Sequence, residues 1–213
     1  MNFILVYPPS CERAAEFPVG GLFLADALDK RGYSCSIICD KSVDEIYEEI
    51  DSQINDQTIA IGLSVVSTLI FKDAIRISKK IKERYPSIPF IWGGQAVTAQ
   101  KETMLEFDPV DYVVVGDGEE ALPDLLDALS KNKDYKDIVG LGYKSGGESF
   151  FNGIATYEDF NQVFNLPYHL LDVESYMRNL NIGGDRWVGA IYSRGCPYRC
   201  TFCIVSVFGS NIG

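Results

Sequence analysis

Short apolar runs and longer stretches of helical spacing alternate through residue 130. Phe3–Tyr7 is an apolar run that stops at Pro8-Pro9, as a strand buried in a parallel sheet does. Pro18 suits a first helical turn; Leu22, Ala25 and Leu28 then form one apolar stripe, and Gly32 can cap its end. Ser34–Cys39 predicts a second strand and Val43–Ile54 an acidic amphipathic helix. Thr58–Leu63 predicts a third strand. Ile70, Ala74, Ile77 and Ile81 recur at helical spacing, with Pro86 just beyond them. Pro89–Trp92 predicts a fourth strand ending at Gly93-Gly94, followed by a weaker helix near Thr98–Phe107. Asp111–Val115 predicts a fifth strand, and Ala121, Leu122, Leu125, Leu126 and Leu129 line the last helix.

Five short apolar strands separated by helices predict a doubly wound parallel α/β sheet of Rossmann or flavodoxin type. In such sheets ligands bind at the carboxyl ends of the strands. Small residues follow the strands there, at Ser64, Gly93-Gly94 and Gly116. The pattern changes after Lys131. Ile138–Tyr143 and Ser149–Asn152 flank Ser145-Gly146-Gly147, the signature of a β-hairpin with a glycine turn. Residues 155–185 show no strong period and read as a linker with a short helix around Leu171–Met177. Val188–Tyr192 predicts one more strand, running into Ser193-Arg194-Gly195-Cys196. The expected organisation is a domain at 1–132, a hairpin and linker at 133–186, and the start of a further domain at 187–213.

Composition narrows the function classes. Of 213 residues, 46% are hydrophobic, enough for a real core. A net charge of -11 repels nucleic-acid backbone and anionic membrane, so neither is an expected partner. There is no apolar run of the roughly 18 residues a transmembrane helix needs. The N-terminus, with no basic segment and no small-residue cleavage site, reads as a strand and not a signal peptide, so a cytoplasmic location is expected.

Six cysteines are present; Cys11, Cys35 and Cys39 are scattered, whereas Cys196, Cys200 and Cys203 fall within eight residues. In a reducing cytosol such a cluster suggests metal ligation more than disulfides. Cys196-Pro197-Tyr198-Arg199-Cys200-Thr201-Phe202-Cys203 has three-then-two spacing. Three thiolates from one loop can hold three corners of a cubane and leave the fourth iron open for chemistry, whereas a fourth cysteine would close it. The alternatives are a zinc site or three incidental thiols. Zinc would want a fourth ligand, and the single histidine, His169, lies far off in the linker.

This loop resembles the radical S-adenosylmethionine (SAM) superfamily, whose signature is the same spacing with an aromatic before the third cysteine, here Phe202, and often Ser-Arg-Gly leading in, here 193–195. The resemblance implies that Cys196, Cys200 and Cys203 bind a [4Fe-4S] cluster. SAM would chelate its open iron and be cleaved to a 5′-deoxyadenosyl radical, with Phe202 beside the adenine. Residues 1–130 in turn resemble the cobalamin-binding domain that precedes the barrel in one large subgroup of these enzymes. The matching stretches are Tyr7-Pro8-Pro9, residues 18–22, Gly62-Leu63-Ser64 with Ser67-Thr68, Trp92-Gly93-Gly94, and residues 110–119. The resemblance implies cobalamin contacts at Ser64, Ser67, Thr68, Gly93, Gly94, Gly116 and Gly118. The loop after the first strand lacks the histidine many cobalamin proteins use as a cobalt ligand, so base-off cobalamin without histidine ligation is expected.

What the family resemblance implies for the complete enzyme is methylation of an unactivated carbon in a small-molecule or peptide substrate, with flavodoxin or ferredoxin as electron donor. Radical cyclisation or rearrangement by the same architecture is an alternative, as is a non-catalytic cobalamin-binding module with a vestigial cluster loop. A radical SAM partial barrel needs further βα units beyond residue 213, so this chain alone is expected to be inactive, with the remainder supplied by a separate chain or missing through truncation. Gly116-Asp117-Gly118-Glu119-Glu120-Ala121 also fits a dinucleotide fingerprint, but it follows the fifth strand and places carboxylates where pyrophosphate would sit. The acids suit the helix N-terminus instead. Cys35 and Cys39, four apart on a strand, share one sheet face as expected core residues. Cys11 and His169 are expected to be incidental, and the charged stretch at 79–84 a solvated helix face.

Overall fold

In the computed structural model, residues 1–9, 17–156, 164–179, 189–191, 193–196, 198 and 200–207 are described. Strands β1 (Asn2–Val6), β2 (Ser34–Ile38), β3 (Thr58–Ser64), β4 (Phe90–Gly93) and β5 (Tyr112–Val114) alternate with helices. The long helices are α1 (Val19–Asp29), α2 (Val43–Gln53), α3 (Phe71–Arg84) and α6 (Gly118–Lys131). The five strands pair in parallel in the order β2-β1-β3-β4-β5, the doubly wound arrangement expected from the sequence.

Period-two alternation sends side chains to opposite faces. Ile4, Val6, Ile61, Leu63 and Trp92 meet Ile46 and Ile50 of α2 and Ile77 and Ile81 of α3. Phe3, Leu5, Ala60 and Ile91 meet Leu22 and Leu28 of α1 and Leu125 and Leu126 of α6. Burial on both faces explains why these strands read as unbroken apolar runs. Trp92 anchors the first face: its indole N–H donates to Ser78 Oγ at 3.0 Å, and that hydroxyl donates to the Ala74 carbonyl at 2.8 Å. Phe71 stacks on the indole at 6.4 Å between centroids.

The predicted hairpin is β6 (Leu141–Ser145) and β7 (Glu148–Phe151), and it does not stand apart from the sheet. β6 pairs antiparallel with β5 and β7 with β6, making a sheet of seven strands. Ser145 faces Glu148 across a two-residue loop in which Gly146 and Gly147 both have positive φ, +61 and +86. That turn matches the twist of the strands and requires residues at ease with positive φ.

Two expectations are corrected. The helix placed at Thr98–Phe107 is two short ones, α4 (Gln95–Ala99) and α5 (Lys101–Met104), separated at Gln100, whose φ of -127 and ψ of 32 leave the helical region. Just before the break, the Thr98 hydroxyl donates to the Gly94 carbonyl and accepts from the Gly116 N–H, just past β5. The strand placed at Val188–Tyr192 is also corrected: Gly189–Ile191 are irregular, and positions 188 and 192 lie outside the described residues. None of the described strands runs alongside to hydrogen-bond with them. The short helix in the linker is α7 (Val173–Asn179). Among the described residues no helix is long and apolar enough to cross a membrane.

α1 and α6 are stapled at their carboxyl ends. Asp127 of α6 accepts from Lys131 Nζ at 2.8 Å and from the Tyr33 hydroxyl, with Arg31 at 3.5 Å. The hydrogen bonds from Lys131 and then Tyr33 hold the Asp127 carboxyl below its ordinary 3.8. A carboxyl lowered in the folded state stabilises the fold above its unfolded pKa, and that stabilisation disappears as pH falls through the folded value. Asp127→Asn is therefore expected to lower the urea midpoint at neutral pH and to leave it nearly unchanged in acid, so that the acid limb of midpoint against pH flattens. Trp92→Ala is expected to cost about 3–5 kcal/mol in the same unfolding measurement, because it empties a fully buried site and strips Ser78 of its donor.

Candidate functional site

The parallel strands deliver their following turns to one edge of the sheet. Tyr7 leaves β1 there, and its phenol lies within hydrogen-bonding reach of the Ser64 side chain and the Gly21 backbone N–H. Burial pushes this phenol up to about 12, so it stays a neutral donor and acceptor. Ser64, the last residue of β3, pairs in register with Gly93, the last residue of β4. Just beyond, the Val65 N–H donates to the Gly93 carbonyl at 2.7 Å and the Ala96 N–H to the Val65 carbonyl at 3.1 Å. Gly94 has a φ of +101, and a Cβ there would lie 2.8 Å from the Val65 oxygen. No other residue fits that turn without strain. Thr98 joins the next strand: its hydroxyl accepts from the Gly116 N–H at 3.0 Å and donates to the Gly94 carbonyl at 3.1 Å.

Of the residues singled out from sequence, Ser64, Gly93 and Gly94 therefore converge on one crevice between β3 and β4. A Cβ on Gly93 would meet only ordinary contacts, the Val114 carbonyl oxygen at 3.7 Å and the Val114 Cβ at 3.8 Å, so a methyl group fits there without a clash. Ser67 uses its hydroxyl to accept from the Leu69 N–H at 3.3 Å, capping the single 3-10 turn at Thr68–Ile70. Thr68 is exposed, as are the apolar side chains of Val66 and Leu69 in the same stretch after β3. Hydroxyls, bare glycine backbone and exposed apolar side chains suit a large ligand with both polar and apolar surface. Gly116 and Gly118 behave differently. The space a Cβ would need at Gly116 is filled by the Ala155 carbonyl, 2.0 Å away, and at Gly118 by Leu24 of α1 at 2.9 Å. These two glycines admit the protein's own chain. Ala155 bridges to Gly116 in parallel, its N–H donating to the Val115 carbonyl and its carbonyl accepting from the Asp117 N–H, both at 2.9 Å.

The cysteine loop sits at the same edge. Its lead residue Arg194 pairs with Glu119 of α6 and, at 3.5 Å, with Asp117. Its guanidinium lies 4.5 Å from the Phe23 ring centre on α1. At the other end, the 3-10 turn Ile204–Val207 packs beside α4. Between them Cys196 and Cys203 are half-buried and Cys200 is exposed. The Cys203 N–H donates to the Cys200 carbonyl at 3.1 Å, so these two thiols share one tight turn, and Gly195 opens the loop at a φ of +78. The donor set suits three corners of an iron–sulfur cubane by number, chemistry and shared loop. Among the described residues no group of three potential ligands is gathered in metal-binding geometry, so the thiols share a loop without forming a ready triangle. Phe202 is 91% exposed and touches no pocket of its own.

Cys35 and Cys39 both pack against the α1 and α6 face. Burial pushes the Cys35 thiol up to about 12. Sequence reasoning missed the partner of Cys39: its sulfur accepts from the hydroxyl of Tyr176, a buried residue of α7, at 3.1 Å. Tyr7 was part of a matching stretch but was given no role, and Thr98, which carries no motif, was missed. The acids at 117 and 119 were read only as complements to a helix terminus, and the ion pair to Arg194 is the added finding. His169 is exposed in the 3-10 turn Tyr168–Leu170, and Cys11 lies outside the described residues.

Residues 14–126 match the family model described as the B12 binding domain, more than half of the chain. The chain belongs to this B12-binding family. Together with the cysteine loop, its similarities place it among the B12-binding-domain-containing radical SAM proteins. It is 30% identical to an uncharacterised methyltransferase of Pyrococcus horikoshii over 99% of this chain and 47% of that protein. It is 27% identical to the anaerobic magnesium-protoporphyrin IX monomethyl ester cyclase of a Synechocystis strain, over 69% of this chain and 29% of that one. The structure of the radical SAM methyltransferase TsrM from Kitasatospora setae, with cobalamin and a [4Fe-4S] cluster bound, superposes with a TM-score of 0.61. That match, at 20% identity, covers 71% of this chain and 30% of TsrM, and shows a shared fold. The chain thus spans about half the length of its Pyrococcus relative and less of the others.

The two crevice glycines of this B12-binding domain are expected to separate in stability. Gly94→Ala is expected to cost about 1–3 kcal/mol in chemical unfolding, since its backbone conformation is strained for any other residue. Gly93→Ala, whose added methyl would meet Val114 only at ordinary contact distances, is expected to leave the unfolding midpoint nearly unchanged.

Proposed function

We propose that this chain is the cobalamin- and cluster-holding portion of a radical SAM enzyme that methylates an unactivated carbon. The observation that carries the reading is that the cysteine loop, clamped by Arg194 and α4, lies on the same sheet edge as the Ser64–Gly93 crevice. When bound, the two cofactors supply one electron to SAM and a methyl group to the substrate. On this reading Cys196, Cys200 and Cys203 hold the cluster as thiolates, and Phe202, already exposed, lies beside the adenine. Ser64, Ser67 and Thr68 offer hydroxyls to the cobalamin tail, and Gly93 and Gly94 let it approach the backbone. Tyr7, kept neutral by burial, adds a phenol beside Ser64. Gly116 and Gly118 are better read as packing residues, given Ala155 and Leu24. Similarity to a ring-forming cyclase favours radical cyclisation as the second reading.

Anaerobic reconstitution of the chain is expected to yield about four iron and four sulfide per chain with a broad visible absorbance. The triple replacement of Cys196, Cys200 and Cys203 by Ala is expected to abolish both. Iron uptake unaffected by the triple replacement would refute the cluster assignment. Hydroxocobalamin is expected to co-elute with the wild-type chain in gel filtration and to separate from Gly93→Ala, a variant whose fold is intact.

A further inference from the structure

Arg194 is the residue whose placement the motif alone does not explain. It stands two positions before Cys196, so the Cα atoms of the two residues lie within about 7 Å of each other. Its side chain is only 19% exposed, and its partner Glu119 only 6%. Glu119 sits in the first turn of α6, the helix that follows β5. The guanidinium is held further by Asp117 and by the rings of Phe23 at 4.5 Å and Phe164 at 5.9 Å. A carboxylate buried to this degree costs stability unless a partner neutralises it. Planar guanidinium satisfies both the carboxylate and the aromatic faces, which a lysine cannot. The far end of the loop rests against α4, the helix that follows β4. The cysteine loop is therefore strung between the two helices that open at the ends of β4 and β5, across the crevice edge.

We infer that Arg194 is a positioning residue: by docking on Glu119 and Asp117 it fixes the cysteine loop over the carboxyl edge of the B12-binding domain, so that a cluster held there faces the cobalamin crevice. The cluster half of this statement rests on the function proposed above, whereas the docking of the loop does not. Alkylation of the cluster-free chain under anaerobic, disulfide-reducing conditions, mapped by peptide mass spectrometry, tests the docking. Arg194→Ala is expected to raise the alkylation rate of Cys196 about tenfold while that of the buried Cys35 stays unchanged. Glu119→Gln is expected to raise it less, and Arg194→Lys to restore part of the protection, since charge returns without the planar fork. A general loss of structure would instead raise Cys35 in step with Cys196 and lower the unfolding midpoint. Either that result, or Cys196 alkylation unchanged in both Arg194→Ala and Glu119→Gln, overturns the inference. Reconstitution separates the two ideas: wild-type chain that takes up no iron refutes the cluster reading, while alkylation alone decides the docking. Where wild type does load a cluster, the change SAM produces in the reduced cluster's electron paramagnetic resonance spectrum is expected to weaken in Arg194→Ala. An unaltered response would overturn the half of the inference that has the cluster face the crevice, the docking itself resting on the alkylation result.

Discussion

β1 has hydrogen-bonded neighbours on both sides and helices on both faces, and the rest of the structure is arranged around that double enclosure. A strand so buried must be apolar along its whole length, and its neighbours can be joined to it in parallel only by crossing over a face. Each crossover returns the chain to the same starting edge, so each turn after a strand emerges at the opposite one. Tyr7, Ser64, Gly93 and Gly116 are gathered by this rule and not by any attraction for one another. The crevice is a by-product of how parallel strands must be connected.

Much of this was legible because burial leaves a trace in composition. The five strands and four long helices stand where the apolar runs and the helical spacing placed them, Ala74–Ile81 on α3 and Ala121–Leu126 on α6 among them. The glycine turn at 146–147 was equally plain, since only a few residues tolerate two successive positive φ angles. What escaped were relations between distant segments. That β6 would join β5 depends on edge hydrogen bonds, which carry no side-chain signature. That Gly116 admits Ala155 could not be told from a glycine admitting a ligand, because both need the same missing Cβ. The bond from the Gly116 N–H to Thr98, which ties α4 to the turn after β5, is again a tertiary fact.

The site shows the same division. Three cysteines spaced along one loop announce their chemistry locally, because thiolates bind iron whatever fold carries them. Their placement is announced nowhere. It comes from an arginine and a glutamate 75 positions apart, each unremarkable alone, that become conspicuous only once both are seen to be buried. The carboxylates at 117 and 119 thereby serve two purposes, complementing the helix terminus and receiving the loop.

The bridge between Gly116 and Ala155 has a consequence for how the molecule extends. After the hairpin, the polypeptide does not leave from the outer edge of the sheet, where β7 lies. It is drawn back by two backbone hydrogen bonds to the tip of β5, at the carboxyl edge of the sheet. The exit point is thus set by β5 and not by β7, so a longer or shorter hairpin would leave it where it is.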